Sequence, residues 1–232
     1  MGLGWSERCA RARRWIDTAA SAEECRLARH QELGAKRVRL AHLEPDAVEW
    51  VLGVDAQIEG SIGVGAAALF RTGAAEPQEV ATARCPIRIP YRFGFLGFRE
   101  LGPIFAAAAK LGRRPDLVFY DGNGALHPRG FGAASQLGLY LGVPTIGVSK
   151  NVAPTQQTRG VRGDVELIEP DRGALLTTRS GVKPVCVSPG HLIDLDSSLR
   201  LALQWSRMRV PEPIRYADQG ARRAMRDAGW SP

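Results

Sequence analysis

The 232-residue chain has no apolar run near the ~18 residues a membrane-spanning helix needs, so no membrane association is expected. Its first residues, MGLGWSERCARARRW, lack the apolar core of a secretory signal, and a cytoplasmic location is expected. Cysteine is scarce. The four, Cys9, Cys25, Cys85 and Cys186, contain no CxxC pair, which excludes the usual zinc-ribbon and dithiol redox motifs. Scattered single thiols read as small apolar residues in a reducing compartment. Histidine is limited to His30, His42, His127 and His191. Internal repeats, low-complexity tracts and linkers are absent too. One domain over residues 1–232 is expected, with roughly the first 30 residues as a basic helical extension.

What is present is apolar bulk and positive charge. The hydrophobic fraction of 44% supports a packed core, and 31 basic against 24 acidic residues give a net charge of +7. A basic surface favours an anionic partner, nucleic acid first. Ser6 to about Ala41 has helical periodicity, with Ser21 to Glu24 fitting a capping box. Val48–Ile58, Ser61–Arg71 and Gln78–Ile89 read as three strands with short links, an antiparallel meander. A loop at 91–97 rich in aromatics and glycine leads to a helix reaching about Leu111.

The stretch from Asp116 to Lys150 is strand, polar loop, helix and strand. Leu117-Val118-Phe119-Tyr120 ends on Asp121, and the second apolar run ends on Lys150. Three short strands follow at 165–169, 174–178 and 184–187. Ser188-Pro189-Gly190-His191 reads as a turn. Helices over 197–209 and 214–228 close the chain.

Candidate functional residues stand out against this pattern. Asp55 is set among Val51, Leu52 and Val54, where a carboxylate is costly unless paired, hydrogen-bonded or bound to metal. Asp121 tips its own buried strand. If the two strands are neighbours the acids converge and repel, and a hard divalent cation, Mg²⁺ or Mn²⁺, relieves them. Glu100 opens a helix, a position its charge favours by itself. His127 and His191 lie beside glycines and are candidates for ligand or proton-transfer work. Lys150 is placed to face phosphate or developing negative charge.

A set of short motifs runs in order along the chain: Gly53-Val54-Asp55, Pro90-Tyr91 with Gly94, Phe98-Arg99-Glu100, and Asp121-Gly122-Asn123-Gly124 with His127-Pro128-Arg129. It continues with Pro144 to Val148 and Lys150, Val187 to His191, and Pro211-Glu212-Pro213 with Arg215. This ordered set resembles the endonuclease V family. The resemblance implies an α/β, RNase H-like fold: a mixed central sheet, three antiparallel strands then parallel strands, flanked by helices. It implies a metal-dependent repair endonuclease acting on hypoxanthine in DNA, or in RNA, and cutting one nucleotide to its 3′ side.

By resemblance the catalytic centre is Asp55, Glu100, Asp121 and His191, with Lys150 on the phosphate. Asp55, Asp121 and Glu100 would hold Mg²⁺, with Mn²⁺ as the alternative. Tyr91 matches the family's stacking wedge, and Gly122, Gly124, His127 and Arg129 fall in the loop that meets the extruded base. The chain departs from the family's usual residues at Arg92, Phe93, Gly130 and Gln136. Arg92 adds a phosphate-seeking charge to the wedge and Phe93 a second ring, so a different grip on the substrate is expected. A monomer is expected. An RNase H-like nuclease for branched DNA, or a non-cleaving nucleic-acid binder, are the competing readings.

Overall fold

The computed structural model describes residues 3–19, 22–150, 160–162 and 165–227. Ser21 lies outside them, and with it the expected capping box. Helices α1 (Trp5–Ala19) and α2 (Glu24–Ala35) come first. Strands β1 (Trp50–Glu59), β2 (Ile62–Arg71) and β3 (Glu79–Pro86) form the meander. Then follow α3 (Leu96–Ala108), β4 (Leu117–Asp121), α4 (Ala133–Leu141) and β5 (Thr145–Ser149). The chain continues through β6 (Gly160–Arg162), β7 (Val165–Glu169), β8 (Gly173–Leu176), β9 (Val185–His191), α5 (Leu195–Gln204) and α6 (Glu212–Asp227).

The described strands make one nine-stranded sheet in the order β3-β2-β1-β4-β5-β9-β8-β7-β6. The centre, β1-β4-β5, is parallel and both flanks are antiparallel. A parallel centre must be covered on both faces, and strand alternation shows how. Val118 and Tyr120 point into a core with Leu101, Ile104, Phe105 and Leu137 of α3 and α4. Leu117 and Phe119 point the other way, against Leu201, Ala202, Ile214 and Ala217 of α5 and α6. Helix α1 adds Trp5, Cys9 and Ile16 to the first core, and the Trp5 indole donates to the Ala108 carbonyl at 2.8 Å. Asp194 caps α5 by accepting from the Ser197 amide at 2.7 Å, an arrangement typically worth about 1 kcal/mol.

Two helices reach the sheet through missing side chains. A Cβ on Gly53 would lie 1.9 Å from the Pro213 carbonyl, so α6 rests directly on the β1 backbone. A Cβ on Gly65 would lie 2.3 Å from the Pro103 carbonyl, so α3 rests likewise on β2. These close approaches draw both helices toward Asp55, which pairs with Ala66 next to Gly65.

The expected turn at Ser188 to His191 is instead the end of β9. Pro189 has no N–H to give, but it pairs with Ile146 beside a register shift, beyond which Thr145 pairs with His191, and it lies past the last partner from β8 at Val187. Helix α1 ends at Ala19, α2 ends at Ala35, and residues up to Glu44 run largely without regular structure, so the helical span is shorter than expected. All four cysteines are free thiols; Cys9, Cys85 and Cys186 are buried and Cys25 is exposed. No helix among the described residues is long and apolar enough to cross a membrane.

Candidate active site

The acid at the end of β4 and the acid inside β1 do converge. Val54 pairs with Tyr120 in the parallel ladder, which sets Asp55 beside Asp121 on the α6 face. Asp55 is 8% exposed, and its carboxyl is pushed up to about 7, first by burial, then by the Asp121 and Asp218 charges. Burial also raises Asp121, opposed by Lys150, whose Nζ stands 3.2 Å from Asp121 Oδ2. Glu100 arrives from α3, beside the Tyr120 hydroxyl. Part of the residue reaches solvent, but its carboxyl lies inside and is pushed up to about 8, by burial and then by Asp55 and Asp121, against the Tyr120 hydroxyl bond. The buried Tyr120 hydroxyl donates to Glu100 Oε2.

A fourth carboxylate, absent from the sequence-based set, belongs to this cluster. Asp218 of α6 is within reach of Asp55, and the Gln57 amide bridges them at 3.3 Å to Asp55 and 3.1 Å to Asp218. Arg222, one turn further along α6, donates to Asp218 at 2.8 Å and also feels Asp55 and Asp121. Lys150 and Arg222 are thus two cations facing the cluster. Each carboxylate is engaged by a neighbour: Asp55 and Asp218 by Gln57, Asp121 by Lys150 and Glu100 by Tyr120. Among the described residues no three His, Cys, Asp or Glu side chains are grouped so as to hold a metal ion.

His191 is not brought to the cluster. Strand β9 runs antiparallel to β5, so His191 pairs with Thr145 at the start of β5 while Asp121 pairs with Val148 near its end. At about 3.3 Å per residue this puts the histidine toward the opposite end of the sheet. There its Nδ1 accepts the Arg39 amide at 3.3 Å. Burial, then Arg39 and Arg37, hold the ring neutral with a pKa down to about 4. The expectation of His191 in the catalytic centre is therefore corrected.

Beside the carboxylates lies a cavity of about 150 Å³, lined among others by Tyr91, Gly94, Leu96, Tyr120, Asn123 and His127. Its rim is a tight turn. The Phe95 amide donates to the Arg92 carbonyl at 3.1 Å, and Gly94 sits third with φ +80°, as a type II turn demands. The turn displays Tyr91 and Phe93, 67% and 72% exposed. Arg92 lies 3.6 Å from Glu24 of α2.

His127 lines the cavity with both ring nitrogens engaged. Nδ1 accepts the Arg129 amide at 3.2 Å and Nε2–H donates to the Gly94 carbonyl at 3.0 Å. Burial and the neighbouring Arg129 hold it neutral, down to about 4. Arg129 also donates to the Gly94 carbonyl at 3.0 Å and stacks over Phe95 at 4.5 Å.

Gly122 and Gly124 are not in the cavity wall; Asn123 between them is. The Gly122 amide donates to Val148 at 3.0 Å, and a Cβ on Gly124 would meet the Pro189 carbonyl at 2.2 Å. A Cβ on Gly122, at φ +152°, would meet the Tyr120 ring at 2.6 Å, and the missing side chain of Gly124 lets this loop sit on β9. Gly130 has φ +67° and closes a turn onto the His127 carbonyl, so a side chain there would be strained. Gln136 is fully buried within α4.

Residues 32–219 match the family model of endonuclease V. The chain belongs to the endonuclease V family. It is 41% identical over 221 residues to the endonuclease V of Nocardia farcinica, covering 92% of this chain and 96% of the relative. The endonuclease V crystal structure from Streptomyces avermitilis superposes with a TM-score of 0.83 at 35% identity, covering 92% and 97% of the two chains. An endonuclease V from Ciona intestinalis, crystallised with a 23mer DNA containing an inosine followed by a ribo-adenosine, shares the fold at TM-score 0.77 and 23% identity, over 88% and 97%. The mixed sheet flanked by helices is the RNase H-like fold of these neighbours, and the chain is a nuclease that hydrolyses phosphodiester bonds. The endonuclease V match includes Asp218 and stops before Arg222. Asp218 carries little signal in sequence alone, because it sits in a helix dense with charge of both signs.

Proposed function

We propose that this endonuclease accepts hypoxanthine as an extruded base in the cavity beside Tyr91 and cuts the backbone one nucleotide to its 3′ side. The observation that carries the reading is Tyr120. Its ring lines the cavity, its hydroxyl holds Glu100, and the next residue is Asp121. One side chain thus spans the place that would read a base and the place that would cut.

The donor set fits a hard divalent cation. It consists of carboxylate oxygens that raise one another's pKa, a repulsion that such an ion relieves. Asp55 and Asp121 would hold Mg²⁺ or Mn²⁺, with Glu100 and Asp218 completing the site. When bound, the cation polarises the scissile phosphate and lowers the pKa of the attacking water. Lys150, Gln57 and Arg222 now hold oxygens of Asp121, Asp55 and Asp218, and a bound cation would compete with them for those groups. Released from Asp121, Lys150 faces the charge that develops on the phosphate. Tyr91 supplies the stacking ring beside the lesion and Phe93 a second one, each worth about 1–3 kcal/mol per base contacted. Arg92 adds a phosphate contact. His127 and Arg129 hold the cavity rim in shape.

The test is nicking of a single-inosine oligonucleotide with and without Mg²⁺, beside an undamaged strand and a four-way junction. Cleavage one nucleotide 3′ of inosine, only with the cation, is expected. Equal cleavage of the undamaged strand or of the junction overturns the hypoxanthine reading. Matched inosine DNA and RNA strands in the same assay assign the preferred sugar.

A further inference from the structure

Gln31 is a polar residue on the buried face of α2, in line with Leu27 and Gly34, and only 2% exposed. A buried amide must be satisfied, and its donors and acceptor tie the cavity-lining Gly94 turn to Arg129 and Phe131 of the loop that follows His127. Nε2 donates to the Gly94 carbonyl at 2.9 Å and, at the longer distance of 3.4 Å, to the Phe131 carbonyl. Oε1 accepts from Arg129 Nε at 2.7 Å. The Gly94 carbonyl therefore receives Gln31, His127 and Arg129 together. One turn along α2, a Cβ on Gly34 would lie 2.5 Å from the Phe131 ring, so the helix is seated on the loop that Gln31 bonds. Gln31 itself lines the cavity. It precedes the 32–219 span matched by the family model.

We propose that Gln31 is a positioning residue for lesion recognition: through it α2 fixes the turn that carries Tyr91 and Phe93 against the base cavity. The inference rests on the hypoxanthine reading and names the residue that shapes that site. Without Gln31, Gly94 loses one of its three donors and Arg129 loses the acceptor that orients it. The turn then samples other positions, and part of the interaction with the substrate is spent restoring one. Substrate affinity falls while the carboxylate chemistry stays as it was.

Gln31→Ala is expected to raise KM for the inosine strand about tenfold, the size of one net hydrogen bond, and to leave kcat within about twofold. In the nucleic-acid-free protein, amide hydrogen exchange over residues 92–97 should speed up in the same variant. Gln31→Glu keeps the acceptor for Arg129 but has no N–H for Gly94, and should reproduce the KM change. Leu27→Ala removes packing from the same helix face, and should lower Tm while moving neither KM nor the exchange at 92–97. Unchanged KM and exchange in Gln31→Ala overturn the proposal. So does a fall in kcat with KM unmoved, or a Leu27→Ala protein that matches Gln31→Ala in both readouts. If the wild type shows no preference for inosine, the hypoxanthine reading fails, and the exchange comparison alone still decides whether Gln31 holds the turn.

Discussion

On one side of Tyr120 stand four carboxylates that repel one another, two of them, Asp55 and Glu100, with pKa values raised to about 7 and 8. On the other side a single carbonyl, that of Gly94, takes three hydrogen bonds, and a neutral histidine has both nitrogens engaged. The first region is held against its own preference by the elements that pack there. The second is held by its own bonds. A site meant to bind a cation keeps unfavourable charge in reserve, whereas a site meant to judge the shape of a base gains from being fixed beforehand.

The contrast is broken most severely at the carboxylates. Asp55→Ala or Asp121→Ala should lower cleavage by about a thousandfold or more, as loss of one member of a catalytic unit does. Binding of an inosine strand should stay within a few fold, measured by anisotropy. Near-normal Mg²⁺-dependent cleavage by either variant would remove the metal site from the cluster. Asp218→Ala should lose about a hundredfold or more in the same assay, which separates the four-carboxylate site from one without α6.

On the base side, Tyr91→Ala should weaken inosine-strand binding by about tenfold, in line with one lost stacking contact, with kcat less affected. Equal loss on inosine and undamaged strands would make Tyr91 a general contact rather than part of the lesion site.

Stability should respond in the opposite sense to activity. Between the ordinary carboxylate value near 4 and about 7 to 8, the folded chain keeps protons on Asp55 and Glu100 that the unfolded chain has released. The metal-free protein therefore loses stability as pH rises through that window. Asp55→Asn removes one such group, and should gain roughly 2 kcal/mol, or about 5 °C in Tm, at pH 8. The gain should shrink toward zero as pH falls to about 4, and saturating Mg²⁺ should narrow it by stabilising the wild type. A gain independent of pH would exclude charge as its cause. The smallest expected effect is at His191. His191→Asn keeps an acceptor for the Arg39 amide and should leave kcat/KM within about threefold, because the ring is not among the carboxylates.

Much of this contrast could be read from the sequence, and the gaps have physical causes. Asp55 and Asp121 were legible because an acid closing or interrupting an apolar strand is costly and therefore informative. The order of the strands was legible for the same reason, since apolar runs broken by glycine and proline mark them. Asp218 was not legible, because one acid in a helix with Arg215, Arg222, Arg223 and Arg226 resembles any solvated charge. His191 entered the catalytic set by resemblance, on a stretch, Ser188-Pro189-Gly190, that reads as a turn; the ladder instead absorbs Pro189 at a register shift and carries the strand onward, away from the carboxylates. Gly122 and Gly124 stood out as places of close approach: the Tyr120 ring crowds the first and the Pro189 backbone the second.

The distribution of thiols has a practical consequence. Cys9, Cys85 and Cys186 are shut inside, with burial raising their pKa values, whereas Cys25 stands in solvent on α2, next to the Glu24 that pairs with Arg92. The folded chain thus presents one accessible thiol, placed near the turn that carries Tyr91. A maleimide fluorophore would attach there without any engineered cysteine, and its emission would report, in unmodified sequence, each arrival of a nucleic-acid strand at that turn.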